Sequence, residues 1–244
     1  MELKPIRTDN QTFGRTASYE PAQEALDVSQ GRKVLRNTYM LLAATMVPTI
    51  VGAVIGVQLA PLMMANAILT FVLMFAAVIG LQFGIVAYRN SPVGIGLLFL
   101  LTFLMGAFLG PLLNVAIGMR NGMELVGYAA AGTGIIFFGM GAIATTTKRD
   151  FSFRGKFLFV GMIALLVAMV ANMFLQIPAL ALTISTLVIV VFSMYLLYDL
   201  NRIVRGGETN YLLATTGVYI SLLNIFSSLL HILMMLGGGG SSRD

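Results

Sequence analysis

From Asn37 to Tyr88 the chain runs 52 residues without Asp, Glu, Lys or Arg, and four more uncharged runs follow at 90–119, 125–147, 157–198 and 209–242. A water-facing fold has no use for this distribution. About 20 apolar residues cross the hydrocarbon layer as a helix, and a helix satisfies its own backbone N–H and C=O groups there. The chain therefore reads as an all-α, polytopic membrane protein, with 10% charged residues against about 25% in ordinary soluble domains.

The first run is too long for one crossing and suits two, with Pro61 as the expected break because proline removes a backbone donor and disfavours helix before it. The 42-residue run from 157 divides in the same way at Gln176-Ile177-Pro178. Seven spans result, near 38–59, 62–87, 93–117, 125–146, 156–175, 179–198 and 211–236. The last is expected to end at the Gly237–Gly240 run, which holds a helix poorly. Residues 1–31 are mixed-charge and polar, without an apolar signal segment, and read as a flexible cytoplasmic tail before a transmembrane domain at 32–240; 241–244 form a short periplasmic end.

Orientation follows from the basic residues. With the N-terminus inside the cell, Lys4, Arg7, Arg15, Arg32, Lys33, Arg36, Arg89, Lys148, Arg149, Arg154, Lys156, Arg202 and Arg205 share the cytoplasmic side. Only Arg120 and Arg243 lie opposite. The positive-inside rule gives a cytoplasmic N-terminus and a periplasmic C-terminus, and an odd number of crossings. The net charge of +5 is spent on these flanks, so nucleic acid is not expected as a partner.

Helices in lipid associate through close packing of small residues. Gly106 and Gly110, followed by Pro111, form such a pair in the third span and read either as packing or as a hinge. In the last span Ala214, Gly217, Ser221, Asn224, Ser228 and His231 follow at alternating steps of three and four, which puts them on one helix face. That stripe is either interhelical polar glue or one wall of a polar path. Asp199 is the acid at the edge of a span with functional character, since a carboxylate at that depth needs a partner or water; Arg202 is one candidate partner.

Enzyme classes are not expected. The sequence has no HExxH, no nucleophile elbow, no phosphate loop and no Cys, and no metal-ligand spacing around His231. No span holds a lysine in its interior for a retinal Schiff base, Lys156 lying at the very edge of the fifth.

A set of motifs, in order, resembles a known family. Arg32-Lys33-Val34-Leu35-Arg36-Asn37-Thr38-Tyr39 enters the first span, and Thr147-Lys148-Arg149-Asp150-Phe151-Ser152-Phe153 leads to the fifth. Tyr198-Asp199-Leu200-Asn201-Arg202-Ile203, Gly206-Gly207-Glu208-Thr209-Asn210-Tyr211 and Val218-Tyr219-Ile220-Ser221-Leu222-Leu223-Asn224 follow. Over about 32–243 the chain is similar to the Bax-inhibitor-type (transmembrane Bax inhibitor motif) family, closest to its bacterial YccA-like branch. The resemblance implies a seven-helix bundle of the bacterial inner membrane without a cofactor. It also implies a partner: members of this branch bind the membrane-anchored ATP-dependent protease of the FtsH type and modulate it, presenting the cytoplasmic tail.

Elsewhere in the family, members act as pH-sensitive calcium leak channels latched by two aspartates with an arginine nearby. Carried over, Asp199 matches the first aspartate, Ser221 stands where the second is expected, and Arg89 is the counterpart of the arginine. Two close carboxylates raise one pKa, and Asp199 beside Ser221 lacks that effect. The expectation is therefore a protease modulator. The alternative is a calcium path along Ser221, Asn224, Ser228 and His231, gated near Asp199, with calcium only as the transported ion.

Overall fold

The computed structural model describes residues 13–147 and 155–238, and among them every regular element is helical. Eight helices follow in order: α1 (Phe13–Ala65), α2 (Ala67–Ala87), α3 (Pro92–Phe108), α4 (Gly110–Ile117), α5 (Gly122–Thr146), α6 (Gly155–Leu175), α7 (Pro178–Val204) and α8 (Tyr211–Gly238). Six are long and apolar enough to cross a membrane alone, α1 through its part Gly31–Ala65. The pair α3 and α4, bent by 41° at Leu109, makes the seventh. Phe83, Ile135, Phe138 and Phe157 are about three-quarters exposed, a cost in water that disappears against lipid.

Both ends of α1 depart from the sequence expectation, and the third span bends. The break between the first two spans falls at Asn66, and Pro61 lies inside α1. Proline leaves the Val57 carbonyl without its usual donor, and Asn114 Nδ2 from α4 reaches that oxygen at 3.5 Å. A neighbouring helix thus re-satisfies the freed group, as lipid-embedded prolines require. The third span is broken: Pro111 cannot donate to the Ala107 carbonyl, and just before it the Leu109 N–H is shared between its usual acceptor Met105 and Gly106, at 3.3 and 3.1 Å. At the amino end, residues 13–31, expected in the flexible tail, belong to α1. Residues 1–12, the 148–154 part of the expected basic loop and the 239–244 end lie outside the described residues.

The central helix is α8, which touches every other helix except α6; α6 rests on α7 alone among the described residues. Two seams organise the bundle. Along the first, α1 and the α3–α4 pair run in the same direction, with Thr49 against Gly106, Gly56 against Gly110 and Val57 against Asn114. The bent pair keeps pace with α1 past the bend, so it is one crossing. Along the second, α7 and α8 run antiparallel around a core that includes Val188, Phe192, Leu196, Val218 and Ile225.

The ends also sort by charge. Gly31 packs on the end of α7, Asn210 bonds the α2–α3 turn, and Arg205 reaches the end of α5. These contacts gather Arg32, Lys33, Arg36, Arg89, Arg202 and Arg205 at one end of the bundle. Arg120, between α4 and α5, lies at the other.

Candidate functional site

The expected sixth span stops near 198, but α7 continues to Val204 and carries the Tyr198–Ile203 motif as its last helical turns. Successive side chains on a helix point about 100° apart, so six in a row face every direction. Here each direction holds a different neighbour. The Tyr198 ring lies against Gly155 at the start of α6. The Asp199 carboxylate lies over Gly217 of α8, its Oδ2 at 2.8 Å from where a Cβ would stand. Leu200 is 1% exposed within the core. Asn201, equally buried, donates from Nδ2 to the Ala144 carbonyl near the end of α5, at 3.5 Å. The Ile203 and Val204 carbonyls face Gly31 of α1 so closely that a Cβ there would meet them at 2.9 and 3.0 Å.

Arg202 turns away from Asp199. Its Nη2 pairs with Glu208 at 3.3 Å and its Nε donates to the Gly207 carbonyl at 3.1 Å, folding the α7–α8 turn onto itself. Gly206 supplies the positive φ of 75° that this turn requires. Glu208 Oε1 then accepts from the Asn210 N–H, and Asn210 Oδ1 accepts from the Leu212 and Leu213 N–H groups. That is an N-cap on α8. The Asn210 amide also donates to the Arg89 carbonyl and to Asn90 Oδ1, both at 2.9 Å. Among the described residues Arg89 therefore meets this cluster through its backbone, and no contact joins its side chain to Asp199. The expected Arg202–Asp199 contact gives way to Arg202–Glu208 because the helix carries Asp199 inward, toward α8, and Arg202 outward, toward the turn.

The small and polar stripe of α8 faces α7. At one end Asp199 meets Gly217; at the other Ser185 Oγ and His231 Nδ1 are 2.8 Å apart. Between them the α7 side carries Val188, Phe192 and Leu196, all buried. Ser221 and Ser228 are buried as well, and the Asn224 amide donates back to the Ile220 carbonyl of its own helix. No hydrogen bond joins Asp199 to Ser221 among the described residues. Ser221, Asn224, Ser228 and His231 thus line a seam that apolar side chains fill, and the Ser185–His231 contact closes one end of it.

Two constellations went unread in the sequence. Tyr219, 1% exposed, donates to the Thr102 carbonyl at 3.1 Å and lies 2.9 Å from Thr49 Oγ1, so one hydroxyl ties α8 to α3 and α1. A phenol in the middle of an apolar span was the available signal, since its O–H must find a partner. The other is the pair Gly52 and Gly56, the spacing that answers Gly106 and Gly110. A Cβ on any of these four would overlap backbone of the facing helix: Phe103 for Gly52, Ala107 for Gly56, Thr49 for Gly106 and Gly56 for Gly110. Close packing and the bend before Pro111 occur at the same place.

A helical bundle with seven crossings, tied together at its basic end by one helix terminus, defines a polytopic membrane protein whose organised face looks toward the basic side. The family model described as inhibitor of apoptosis-promoting Bax1 matches residues 31–238, and the chain belongs to that family. A Vibrio cholerae relative named an uncharacterized membrane protein is 40% identical, the match covering 91% of this chain and 95% of that protein. The Escherichia coli K12 protein named modulator of FtsH protease YccA is 42% identical over 87% of this chain and 92% of its own length. Its counterpart in a second Escherichia coli strain, with the same identity and coverage, is named inner membrane protein YccA.

Proposed function

We propose that this chain is an inner-membrane protein that binds a membrane-anchored, ATP-dependent protease of the FtsH type and modulates it, with its amino terminus and basic end in the cytoplasm. The observation that carries this reading is the 42% identity over 87% of the chain to a protein named as modulator of that protease. Two features support it. Basic residues gather at one end of the bundle, as cytoplasmic flanks do. In addition, α1 begins 18 residues before its apolar part Gly31–Ala65, a helical stretch about 27 Å long that adjoins that end.

Co-purification of the protease in mild detergent, with the full chain and with a chain starting at Gly31, tests the proposal. The full chain is expected to retain the protease and the shortened one to lose most of it. If neither form associates, the reading fails. The calcium path implied by the wider family makes a separate demand: flux into proteoliposomes above that of empty ones, reduced in Asp199→Asn. That result would favour the channel over the modulator.

A further inference from the structure

The wall of the bundle between α1 and α5 is open. No α carbon of α1 comes within 8 Å of one of α5 among the described residues. Tyr39 spans the gap, its ring meeting Phe137 edge-on at 5.5 Å between ring centres and its hydroxyl lying against Gly141. Beside it lies a groove of about 640 Å³, walled by Leu35, Ala43 and Met46 of α1 and by Phe138 and Ala142 of α5, with Leu222 of α8 as its floor.

Three properties decide what fits. From Leu35 to Met46 the groove is about 17 Å long at 1.5 Å per residue, close to half of the roughly 30 Å hydrocarbon layer. It therefore spans one leaflet. Its lining is almost wholly apolar, with Thr145 and Tyr39 as the residues that carry a polar side-chain group, which suits an acyl chain. Lastly, the groove starts at the basic end. Arg32, Leu35, Tyr39, Leu42 and Met46 follow at steps of three and four on one face of α1, and Arg36 lies one turn before Tyr39. Arg32 and Arg36 are both exposed at the mouth, where a headgroup would lie.

We infer that this groove is a binding site for an anionic phospholipid of the basic-side leaflet, one acyl chain lying between α1 and α5 and the phosphate held by Arg32 and Arg36. Arginine suits a phosphate because its planar donors match the oxygens in pairs.

Native mass spectrometry of the delipidated full chain, titrated with phosphatidylglycerol or with phosphatidylcholine of identical acyl chains, reads the site. One phosphatidylglycerol is expected to be retained in preference to phosphatidylcholine, by about fivefold for each arginine. Changing both Arg32→Ala and Arg36→Ala is expected to erase the preference. Ala142→Phe, which fills the groove from an exposed wall position, is expected to lower retention of both lipids; Ala43→Phe does so from the opposite wall. Equal retention of the two headgroups by the parent overturns the inference, as does undiminished retention in either folded phenylalanine variant. A photoreactive side chain at position 138, activated in whole membranes, gives an answer that needs no core variant. Its expected product is a lipid adduct, and an adduct to a second polypeptide overturns the assignment.

Discussion

The two seams of this bundle hold in opposite ways. Between α1 and the α3–α4 pair, glycines let backbone meet backbone, and no side chain could be added on either side. Between α7 and α8, side chains fill the space, with a polar contact toward each end: Asp199 over Gly217 and Ser185 with His231. In lipid neither seam gains much from hydrophobicity, so what differs is tolerance. A backbone-to-backbone contact has no rotamer to yield, whereas a seam of side chains can repack. The first seam is the rigid frame, and the second is where a polar group can change its partner without unfolding the protein.

The sharpest break of that contrast is Gly106→Val. Its Cβ would overlap the Thr49 backbone, so α1 and α3 must separate. The expected loss is about 3 kcal/mol or more, at or above the usual overpacking range of 1–3 because the obstacle is main chain. Unfolding of the purified protein in mixed micelles would show it as a lowered midpoint or as loss of folded protein. An equally stable Gly106→Val would mean that the seam is looser than the contacts imply.

Tyr219→Phe is expected to have a smaller effect. It keeps the ring in place and removes the hydroxyl that Thr49 and the Thr102 carbonyl share across the first seam. Interhelical hydrogen bonds in membranes are worth about 0.6 kcal/mol on average, and an orphaned buried acceptor costs about 1–3. A loss of about 1–2 kcal/mol is therefore expected, read by the same unfolding measurement. A Thr49→Val change made on top of Tyr219→Phe should add little, since the two hydroxyls serve one another; full additivity would show that they act separately.

Much of this architecture was legible because lipid permits few alternatives. Uncharged runs of crossing length mark the spans, and the Lys/Arg asymmetry matches the gathering of Arg32, Arg89 and Arg205 at one end. Where the reading missed, a local rule lost to a tertiary one. Proline marks a helix break in water, yet Pro61 continues α1 because Asn114 lies close enough to serve Val57, and nothing in the sequence near Pro61 announces Asn114. In the sequence the turns of α7 beyond Tyr198 look like a flank, because charge and amide appear there. Those same residues contact α1, α5, α6 and α8 in a single helix terminus. Asp199 stood out as a lone acid, but its neighbour Gly217 was only one small residue in a stripe. That pairing depends on the antiparallel register of α7 and α8, which periodicity within one helix does not contain.

The smallest expected effect tests the tolerant seam. Ser185 and His231 meet at 2.8 Å toward the end of α7–α8 opposite the basic cluster, and the histidine is half-buried there. If this seam repacks as side-chain seams do, Ser185→Ala should cost only about 0.6 kcal/mol, the average for polar pairs between membrane helices. His231→Gln retains a donor and an acceptor and should cost less than His231→Leu. A double-mutant cycle between positions 185 and 231 separates the pair from its surroundings. A coupling of about 0.6 kcal/mol makes the contact glue on a forgiving surface. A coupling above roughly 2 kcal/mol, beyond what such pairs reach, would put a second rigid point in the bundle. The polar stripe from Gly217 to His231 would then be a fixed structural element, and the division into a frame and a yielding seam would no longer hold.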